Sequence, residues 1–435
     1  MQKVTFHTLG CKLNYAETSS IGKQFIEREF LEVPNEERAD VIVVNTCSVT
    51  ERADQKARQL VRHLQKTSPD AFVIVTGCYA QLDPDQIAEI DGVDLVLGSN
   101  EKFKIFDYIN SFEKTGATQI FTSPIEDVHE FGGAYSLEVG DRTRVFLKVQ
   151  DGCDYSCTYC TIPMARGISR YPSIEFVVNQ AKEIAEKGMK EIVLSGVNVG
   201  DFGKKDGSSL FELVKQLDKI DGIERFRISS IEPNLLTDEI IDFIGGSNKF
   251  CHHFHIPMQS GSDTVLRKMK RRYLSSDYRT RIEKIKSVLP DAGIGADVIV
   301  GFPGETDQLF DETANFISDL PLSYLHVFTY SEREKTEALD MDGFVQNFIR
   351  KKRNAHLRII SKKKEHAFLE SLLKKELPVL IEGDVRDGMN FGYTGNYARV
   401  GIKNANQLVN TIQRIFITGF NNDMELIGEL SGVEV

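Results

Sequence analysis

Three cysteines within one short segment constrain this chain more than any other feature of its sequence. Cys153, Cys157 and Cys160, here called the central trio, lie in DGCDYSCTYC, directly after a run of residues that predicts a strand. Three thiolates at this spacing can hold three irons of a [4Fe-4S] cluster and leave the fourth iron open to a substrate or cofactor. A structural zinc loop is the alternative, but it needs a fourth ligand that the adjacent sequence does not supply. The spacing therefore favours an iron–sulfur site with an open position.

A second set of three cysteines is spread over the first part of the chain. Cys11, Cys47 and Cys78, here called the N-terminal trio, each follow a predicted strand within a few residues. The carboxyl ends of parallel strands share one edge of a sheet, so three successive strands would present these thiols to one crevice. Gly10 and Gly77 permit the tight turns that this placement needs. The pattern predicts a second cluster with its own open iron, and buried structural cysteines are the competing interpretation.

The seventh cysteine, Cys251, lies in FCHHFHIP beside three histidines. Alternation along a strand would place these side chains on opposite faces, so a buried core position is favoured over a zinc site. An odd number of cysteines argues against a disulfide framework, and the first residues lack the apolar segment of a signal peptide. We therefore expect a cytoplasmic protein, and no apolar run reaches the length of a membrane span.

Charge is separated along the chain. Its 435 residues carry 53 Lys and Arg against 64 Asp and Glu, a net charge of −11, which excludes a globally basic nucleic-acid-binding protein. Two stretches are nevertheless strongly basic, because residues 350–375 hold ten basic and two acidic residues, and residues 267–286 hold nine and two. Such segregation predicts a surface that faces a polyanion, whereas a merely solvated helix is the alternative for 350–375.

The order of predicted elements indicates an α/β protein of three parts. Residues 1–125 alternate strands with helical stretches, as in an open α/β sheet, and residues 113–140 resemble a linker. Residues 140–372 contain about six strand–helix units, enough for a partial TIM-like barrel and too few for a closed eightfold one. Residues 376–435 have short strands and Gly or Asn turns, which predict a small β-barrel. The strands predicted for the first two parts are 4–8, 41–45, 72–76, 95–97, 145–149, 192–194, 226–229, 253–256, 294–299 and 324–327.

The C-terminal part is acidic, with four basic and eight acidic residues between 376 and 435. This balance weakens an electrostatic role in RNA binding and favours recognition by shape or by base stacking. The candidate stacking residues are aromatic, and several of them must belong to the core: Phe391, Tyr393, Tyr397, Phe416 and Phe420.

Six segments resemble successive blocks of the methylthiotransferase family of radical S-adenosylmethionine enzymes: TLGCKLNYAET, VVNTCSVT, TGCYAQ, GCDYSCTYCTIPMARG, HIPMQSGSD and GADVIVGFPGET. The resemblance covers essentially the whole chain, and its C-terminal part is similar to the TRAM RNA-binding module. Within the family, TLGCKLN looks most like the branch that acts on N(6)-threonylcarbamoyladenosine in tRNA. The branch that acts on isopentenyladenosine usually reads YGCQMN there, and the branch that acts on a ribosomal protein usually reads LGCPKN. One departure is Lys335, where relatives commonly have glycine.

The resemblance implies two [4Fe-4S] clusters and S-adenosylmethionine as cofactors. In this family the cluster at the central trio cleaves S-adenosylmethionine to a 5′-deoxyadenosyl radical. The cluster at the N-terminal trio holds a sulfur that a second S-adenosylmethionine methylates. The implied partners are the tRNA anticodon stem-loop, an electron donor such as flavodoxin or ferredoxin, and a sulfur donor, with no membrane.

The resemblance also implies which residues contact S-adenosylmethionine, although ordinary loop polarity is the alternative for each of them. They adjoin the last central cysteine or follow successive strands of the partial barrel: Tyr159, Ser195, Gly196, Asn198, Ser229, Ser230, Glu232, Gln259 and Val300. Glu305 and Thr306, in contrast, could simply begin the helix that follows them. No catalytic acid or base is assigned.

The implied function is the transfer of a methylthio group to C2 of N(6)-threonylcarbamoyladenosine next to the anticodon. An unactivated aromatic C–H bond is not open to acid–base chemistry at neutral pH, so a cofactor-derived radical is the available route. Two alternatives remain open at this point. The first is the same reaction on isopentenyladenosine in tRNA or on a ribosomal protein, and the second is a non-catalytic iron–sulfur RNA-binding protein.

Overall fold

The structure is a computed structural model that describes residues 1–109, 111–136 and 143–431. Its described residues form a six-stranded sheet, two three-stranded sheets and a closed barrel of five strands. The predicted α/β class is confirmed. The expected start of the second part, residue 140, lies outside the described residues. No helix in the described part of the chain has the length and apolar character needed to cross a membrane.

The N-terminal sheet is parallel throughout and carries helices on both faces. Its strands are β1 Lys3–Thr8, β2 Leu31–Glu32, β3 Val41–Thr46, β4 Phe72–Gly77, β5 Leu95–Leu97 and β6 Gln119–Phe121, and its helices are α1 Lys12–Ile26, α2 Glu51–Thr67, α3 Cys78–Leu82, α4 Pro84–Ala88 and α5 Ile105–Tyr108. The strand order is β2-β1-β3-β4-β5-β6. Every residue of β3 and β4 is buried, because one face packs on α2 and the other on α1 and α5.

Two strands of this sheet were not among those predicted. The first, β2, has two exposed residues, and β6 has three residues within the stretch that resembles a linker. Strands this short and this exposed have no burial pattern that periodicity can detect. The stretch 113–140 therefore contributes an edge strand to the sheet, and in that respect the linker prediction is wrong.

The central part forms six parallel strands in two sheets, as predicted. Its strands are β7 Arg144–Lys148, β8 Glu191–Ser195, β9 Arg225–Ile228, β10 His253–His255, β11 Gly293–Val300 and β12 Tyr324–Thr329, and its helices are α6 Ile162–Arg166, α7 Ile174–Glu186, α8 Leu210–Leu217, α9 Asp238–Gly246, α10 Asp263–Lys268, α11 Ser275–Val288, α12 Asp307–Asp319 and α13 Asn347–Glu370. A parallel bridge between Phe226 and Phe250 joins the two sheets.

Alternation along these strands separates an apolar outer face from a polar inner one. On β11, Ile294, Ala296 and Val298 pack into the core formed with the surrounding helices. The intervening residues Gly295 and Asp297 face the other way, into the interior of the partial barrel, which we call the lumen. Polar side chains of the other strands also line the lumen, as described below.

The C-terminal part is a closed barrel with the neighbour order β13-β14-β15-β17-β16. Its strands are β13 Glu376–Arg386, β14 Met389–Thr394, β15 Arg399–Lys403, β16 Ile412–Phe420 and β17 Leu426–Leu430. The prediction of a small β-barrel is confirmed. This barrel docks on the lumen, where Arg225 donates to the carbonyls of Tyr393 at 2.8 Å and Pro378 at 2.6 Å, and Arg227 donates to Gly395 at 3.0 Å.

Candidate functional site

The N-terminal trio lies at one edge of the first sheet. In the register, Thr8 pairs with Asn45 and Thr46 pairs with Gly77, so β1, β3 and β4 end side by side. Cys11 precedes α1, Cys47 follows β3, and Cys78 is the first residue of α3. Their exposure falls in that order from exposed to buried. The structure thus brings together three cysteines that are far apart in the sequence.

Two glycines permit this close approach. Gly10 has φ +107°, and a Cβ there would lie 2.6 Å from Cys47 Cβ and 3.0 Å from Cys47 Sγ. Gly77 has φ +98°, and a Cβ there would lie 2.4 Å from the backbone oxygen of Thr46. At both positions the backbone is left-handed and no space remains for a side chain, so only glycine fits.

The central trio occupies the loop after β7. The N–H of Cys153 donates to the carbonyl of Gly167 at 3.0 Å, and the N–H of Tyr155 donates to Cys153 Sγ at 3.4 Å. Arg271, which lies after α10, donates from Nη1 to Cys157 Sγ at 3.0 Å. Hydrogen bonds to cysteine sulfurs of this kind tune the potential of an iron–sulfur cluster.

The spacing of the sulfurs bears on the group that they could hold. Among the described residues, neither trio brings its three sulfurs within 4.8 Å of one another. Tetrahedral zinc, with Zn–S bonds of about 2.3 Å, would hold its sulfurs about 3.8 Å apart. Burial raises the pKa of Cys47 and of Cys153 to about 12, so metal binding must displace protons from these thiols. Three thiols at this wider spacing fit a cluster better than a single ion.

The loops that carry the two trios are in direct contact. Thr161, which follows Cys160, donates from Oγ1 to the carbonyl of Ser48 at 3.4 Å, and Ser48 follows Cys47. Arg166 on α6 donates from Nη2 to Asn14 Oδ1 at 2.6 Å, close to Cys11. These contacts place the loop of the central trio beside the loops that carry Cys11 and Cys47.

A buried ionic network fixes the first sheet to the partial barrel. Glu17 on α1 is fully buried and accepts from Lys102 at 2.7 Å, Lys148 at 2.9 Å and Arg166 at 3.0 Å. Asp151 joins the network by pairing with Arg166 at 2.9 Å. Burial opposes the charge of Glu17, but the three cations outweigh it and hold the pKa of this carboxyl well below its usual range. No sequence pattern reveals this network, because its members lie up to 149 positions apart.

The residues expected to contact S-adenosylmethionine lie at the carboxyl ends of the strands of the partial barrel. Ser195 ends β8, and Gly196 and Asn198 follow it. The N–H of Asn198 donates to Gln150 Oε1 at 2.8 Å, and its Nδ2 donates to Asp201 Oδ2 at 2.9 Å. Its Oδ1 is buried without a hydrogen-bond partner among the described residues. An acceptor left open at this edge fits a ligand that carries an amino group.

Two more members of that set, Glu232 and Tyr159, contact Arg271. Ser229, Ser230 and Glu232 follow β9, and the carboxylate of Glu232 pairs with the Arg271 guanidinium. Burial raises the pKa of Glu232 despite this cation. The phenolic oxygen of Tyr159 accepts from Arg271 Nη1 at 3.5 Å.

Two further members of the set lie after β10 and at the end of β11. Gln259 follows β10 with φ +65°, and its N–H donates to the carbonyl of Asp297 at 2.8 Å. Val300 is the buried last residue of β11. Thr306 accepts from the N–H of Leu309 and caps α12, so the alternative of a helix cap is confirmed for it.

Three arginines of the basic stretches cannot contact a polyanion, contrary to the prediction from charge. Arg271, Arg350 and Arg353 are buried side chains. Arg350 donates to the carbonyls of Tyr330 and Val345, and Arg353 pairs with Glu305 at 2.7 Å. These arginines hold loops of the barrel together, whereas charge counting treats every cation as solvated. Their exposed neighbours in the two stretches include Lys268, Lys270, Arg272, Lys351, Lys352, Arg358, Lys362 and Lys363.

The aromatic residues of the C-terminal barrel occupy different environments, from the barrel interior to the surface. Phe391 is 1% exposed and belongs to the interior. Tyr393 and Tyr397 stack on each other at 4.9 Å and pack under the guanidinium of Arg144, so they dock the barrel on the lumen. Phe416 is 44% exposed, which leaves it available to a base.

Three polar residues form a hydrogen-bonded group on the inner face of β10, β11 and β12. Asp297 Oδ1 lies 3.0 Å from His255 Nε2 and 3.2 Å from His326 Nδ1. Burial raises the pKa of Asp297, but the hydrogen bonds to these histidines outweigh it and hold the pKa well below its usual range. Cys251 is buried and not part of this group, as expected for a core position.

Comparison with known proteins identifies the family to which this chain belongs. The model of the radical SAM superfamily matches residues 147–317, and that of an uncharacterized protein family, UPF0004, matches residues 3–98. A threonylcarbamoyladenosine tRNA methylthiotransferase of Bacillus subtilis is 39% identical over 96% of this chain and 94% of its own. The chain belongs to the radical S-adenosylmethionine methylthiotransferase family. The corresponding enzyme of Aquifex aeolicus is 36% identical over 94% of this chain and its whole own length.

A methylthiotransferase that is named for a different substrate is also similar to this chain. The tRNA-2-methylthio-N(6)-dimethylallyladenosine synthase of Syntrophus aciditrophicus is 31% identical over 99% of this chain and 91% of its own. Among solved structures, a radical S-adenosylmethionine methyltransferase of Kitasatospora setae has a TM-score of 0.59 at 13% identity, covering 78% of this chain and 77% of its own. At that identity the likeness shows the fold alone. The expected cofactors, S-adenosylmethionine and two [4Fe-4S] clusters, are those of the methylthiotransferase family.

Proposed function

We propose that this methylthiotransferase adds a methylthio group to C2 of N(6)-threonylcarbamoyladenosine beside the anticodon of tRNA. The observation that carries the proposal is the pair of three-cysteine sites on contacting loops of one chain. A reaction that installs sulfur at an unreactive C–H bond needs both a radical source and a sulfur source within reach of one atom. Two open clusters on adjoining loops meet that requirement.

The choice of substrate rests on the relatives. Five relatives named as threonylcarbamoyladenosine enzymes are 34–39% identical to this chain, and three named as dimethylallyladenosine enzymes are 30–31% identical. The TLGCKLN segment around Cys11 agrees with that difference. A transfer RNA with the threonylcarbamoyl group is therefore the proposed substrate.

The six trio cysteines are the proposed cluster ligands, and neighbouring residues orient them. When bound, the clusters and S-adenosylmethionine supply the one-electron chemistry and the methylthio group. The chain itself fixes Cys47 against Gly10 and directs the Arg271 guanidinium at Cys157 Sγ, 3.0 Å away. It also buries Cys78, which keeps water from that sulfur.

S-adenosylmethionine is proposed to lie along the edge formed by the loops after β8, β9, β10 and β11. The free Oδ1 of Asn198 would accept from its amino group, and Ser229, Ser230 and Glu232 would face its ribose and carboxylate. Arg271 holds Glu232 in place by a buried ion pair. Tyr159, Ser195, Gly196, Gln259 and Val300 complete the proposed contact set.

The anticodon stem-loop is proposed to bind across the exposed basic residues next to the central trio. The carbonyl of Lys268 accepts from Thr158, and Arg272 donates to the carbonyl of Asp154 at 2.8 Å, so this segment lies directly on the cysteine loop. Cations here would hold the phosphates while a loop base leaves its stack to reach the clusters. A one-electron donor such as flavodoxin or ferredoxin, and a sulfur donor, are the other proposed partners.

The test is nucleoside analysis of tRNA from cells that contain N(6)-threonylcarbamoyladenosine but do not methylthiolate it. Expression of this chain should convert that nucleoside to its 2-methylthio form, measured by liquid chromatography and mass spectrometry. Cys47→Ala and Cys157→Ala should abolish the conversion. Cys251→Ala is the matched control, because it removes a buried cysteine outside both trios and should leave the product in place.

Other outcomes would replace the proposal by a definite alternative. Methylthiolation of dimethylallyladenosine in place of threonylcarbamoyladenosine would assign the chain to the other tRNA branch. Unchanged tRNA together with a methylthiolated ribosomal protein would assign it to the third branch. RNA binding without cleavage of S-adenosylmethionine in the presence of a reductant would make it a non-catalytic binding protein.

A further inference from the structure

The lumen next to the N-terminal trio is lined by charged side chains from three adjacent strands. Arg144, Glu191 and Arg225 lie side by side in the register of β7, β8 and β9 and share the inner face. Arg227 lies two residues further along β9 on the same face. The lower end of the lumen is closed by the C-terminal barrel, whose carbonyls accept from Arg225 and Arg227.

Most of these charges are paired. Glu191 accepts from Arg227 at 2.8 Å, and Glu382 of the C-terminal barrel accepts from Arg144 at 2.8 Å. Asp384, which also lines this region, pairs with Arg399. The carboxylates at this place are thus already held by arginines.

Lys12 is a cation of this region that takes part in none of these ion pairs. It follows Cys11 and lines a cavity of about 520 Å³, a size typical of small-molecule sites, together with Gly10, Tyr15, Arg144, Phe146, Glu382 and Asp384. Among the described residues, the ammonium of Lys12 makes no hydrogen bond and no ion pair within 4.0 Å. The charges that act on it include the like-charged Arg227 and Arg144 and, more weakly, the carboxylate of Glu191. A half-buried ammonium near two guanidiniums, in a place where Glu191 and Glu382 are already paired with arginines, favours an anion in the cavity.

The proposed substrate carries such an anion. A threonylcarbamoyl group is attached through the α-nitrogen of threonine, so its carboxylate is free and ionised at neutral pH. In the adenine ring, C6 and C2 are separated only by N1, so a substituent on N6 lies on the same side as the carbon to be modified. Lys12 stands next to Cys11, a proposed ligand of the sulfur-donating cluster. A dimethylallyl group carries no charge that could pair with Lys12.

We propose that Lys12 binds the carboxylate of the threonylcarbamoyl group and thereby selects this substrate. The inference rests on the proposed function, and it adds a specificity-determining residue to it. A charge-assisted hydrogen bond in a partly buried cavity is strong enough to set a preference of tenfold or more. Arg144 supports the anion by its charge while remaining paired with Glu382.

The experiment uses the full chain with both clusters reconstituted and three anticodon stem-loop RNAs. The first carries N(6)-threonylcarbamoyladenosine, the second the methyl ester of the same group, and the third unmodified adenosine. Dissociation constants are measured by fluorescence anisotropy, which does not depend on turnover, and KM and kcat are measured for methylthio transfer. Wild-type protein should bind the first RNA about tenfold or more tightly than the other two.

Two variants of Lys12 and one control distinguish the effect of the Lys12 charge from an effect on folding. Lys12→Gln should lose the preference for the free carboxylate and raise KM, whereas Lys12→Arg should keep most of it. Lys66→Gln removes an exposed lysine of helix α2 in the same N-terminal part and should behave as wild type. Iron and sulfide content, together with unchanged affinity for the unmodified RNA, establishes that Lys12→Gln is folded and carries both clusters.

The outcomes distinguish failure of this inference from failure of the proposed function. If wild-type protein modifies the threonylcarbamoyl RNA but Lys12→Gln retains the full preference, the role of Lys12 is refuted and the function stands. Equal wild-type binding of the acid and its methyl ester would lead to the same conclusion. If wild-type protein does not modify the threonylcarbamoyl RNA at all, the function itself fails and the inference with it.

Discussion

Both oxygens of the Glu17 carboxylate accept from the Arg166 guanidinium, at 3.0 and 3.1 Å. Glu17 lies on the helix that follows Cys11, and Arg166 lies on the helix that follows Cys160. One buried, two-pronged ion pair therefore fixes the position of one cysteine loop relative to the other. Fork-shaped pairs of this kind constrain geometry more than a single contact does.

Glu17→Gln should destabilise the protein strongly. The substitution leaves Lys102, Lys148 and Arg166 buried without their shared carboxylate, and breaking a buried pair in this way costs about 3–5 kcal/mol. Urea unfolding followed by circular dichroism measures the change. Glu27→Gln is the control, because Glu27 pairs with Lys23 at 3.8 Å on the exposed side of the same helix, and its loss should cost less than about 0.5 kcal/mol. Equal midpoints for the two variants would contradict the prediction.

Gly10→Ala should remove one cluster and spare the other. The new methyl group would need the space of Cys47 Cβ, 2.6 Å away, in a left-handed backbone conformation. Displacement of Cys47 should reduce the iron and sulfide of reconstituted protein to about half that of wild type, with the central cluster retained. Gly116 also has a positive φ, +77°, but open space around it, so Gly116→Ala should keep both clusters. Full iron content in Gly10→Ala would show that Cys47 does not need this glycine.

His253 should make stability depend on pH. Burial, then the nearby charges of Arg227, His255, Lys12 and Arg144, hold the pKa of this imidazole well below its usual range. The unfolded chain takes up a proton below about pH 6.5 that the folded protein does not, so stability is full above that pH and falls below it. The slope due to one such group is at most about 1.4 kcal/mol per pH unit. Thermal unfolding between pH 7.5 and 5.5 should show a smaller decline for His253→Gln than for wild type, while exposed His356→Gln should follow wild type.

Replacing Lys335 by glycine should change the stability of the protein little, whereas replacing it by a β-branched residue should lower it. It has φ +62°, a conformation that costs a residue with a Cβ about 1 kcal/mol and glycine almost nothing. Glycine also loosens the unfolded chain, so Lys335→Gly should change stability by less than about 1 kcal/mol, whereas Lys335→Val should be destabilising by about 1–2 kcal/mol. Differential scanning calorimetry measures both. A Val variant as stable as wild type would contradict the left-handed conformation.

The elements that the sequence predicts well are those with long apolar runs. Strands β3 and β4 are buried throughout, and the residues chosen for them agree with the structure to within one position. The convergence of Cys11, Cys47 and Cys78 follows from the same pattern, because each comes directly after a strand of one parallel sheet. Local periodicity and one topological rule are sufficient for these features.

Features that depend on partners distant in sequence were not predictable. Arg271 counts as one more cation of a basic stretch, but its side chain is buried between Cys157 and Glu232. Tyr393 and Tyr397 read as candidate stacking residues, but they pack against Arg144 across the interface between the two barrels. The charge or aromatic character of a residue does not reveal whether its side chain faces solvent or packs against a neighbouring domain. Only the folded arrangement supplies that information.

The docking of the C-terminal barrel through main-chain carbonyls has a consequence for how this protein can change. Arg225 and Arg227 bind the carbonyls of Pro378, Tyr393 and Gly395, and every residue type offers a carbonyl. These hydrogen bonds therefore do not depend on which side chains the C-terminal barrel carries, unlike the contacts of Tyr393 and Glu382 with Arg144. Side-chain substitutions that preserve the backbone path at these positions therefore leave the three hydrogen bonds in place.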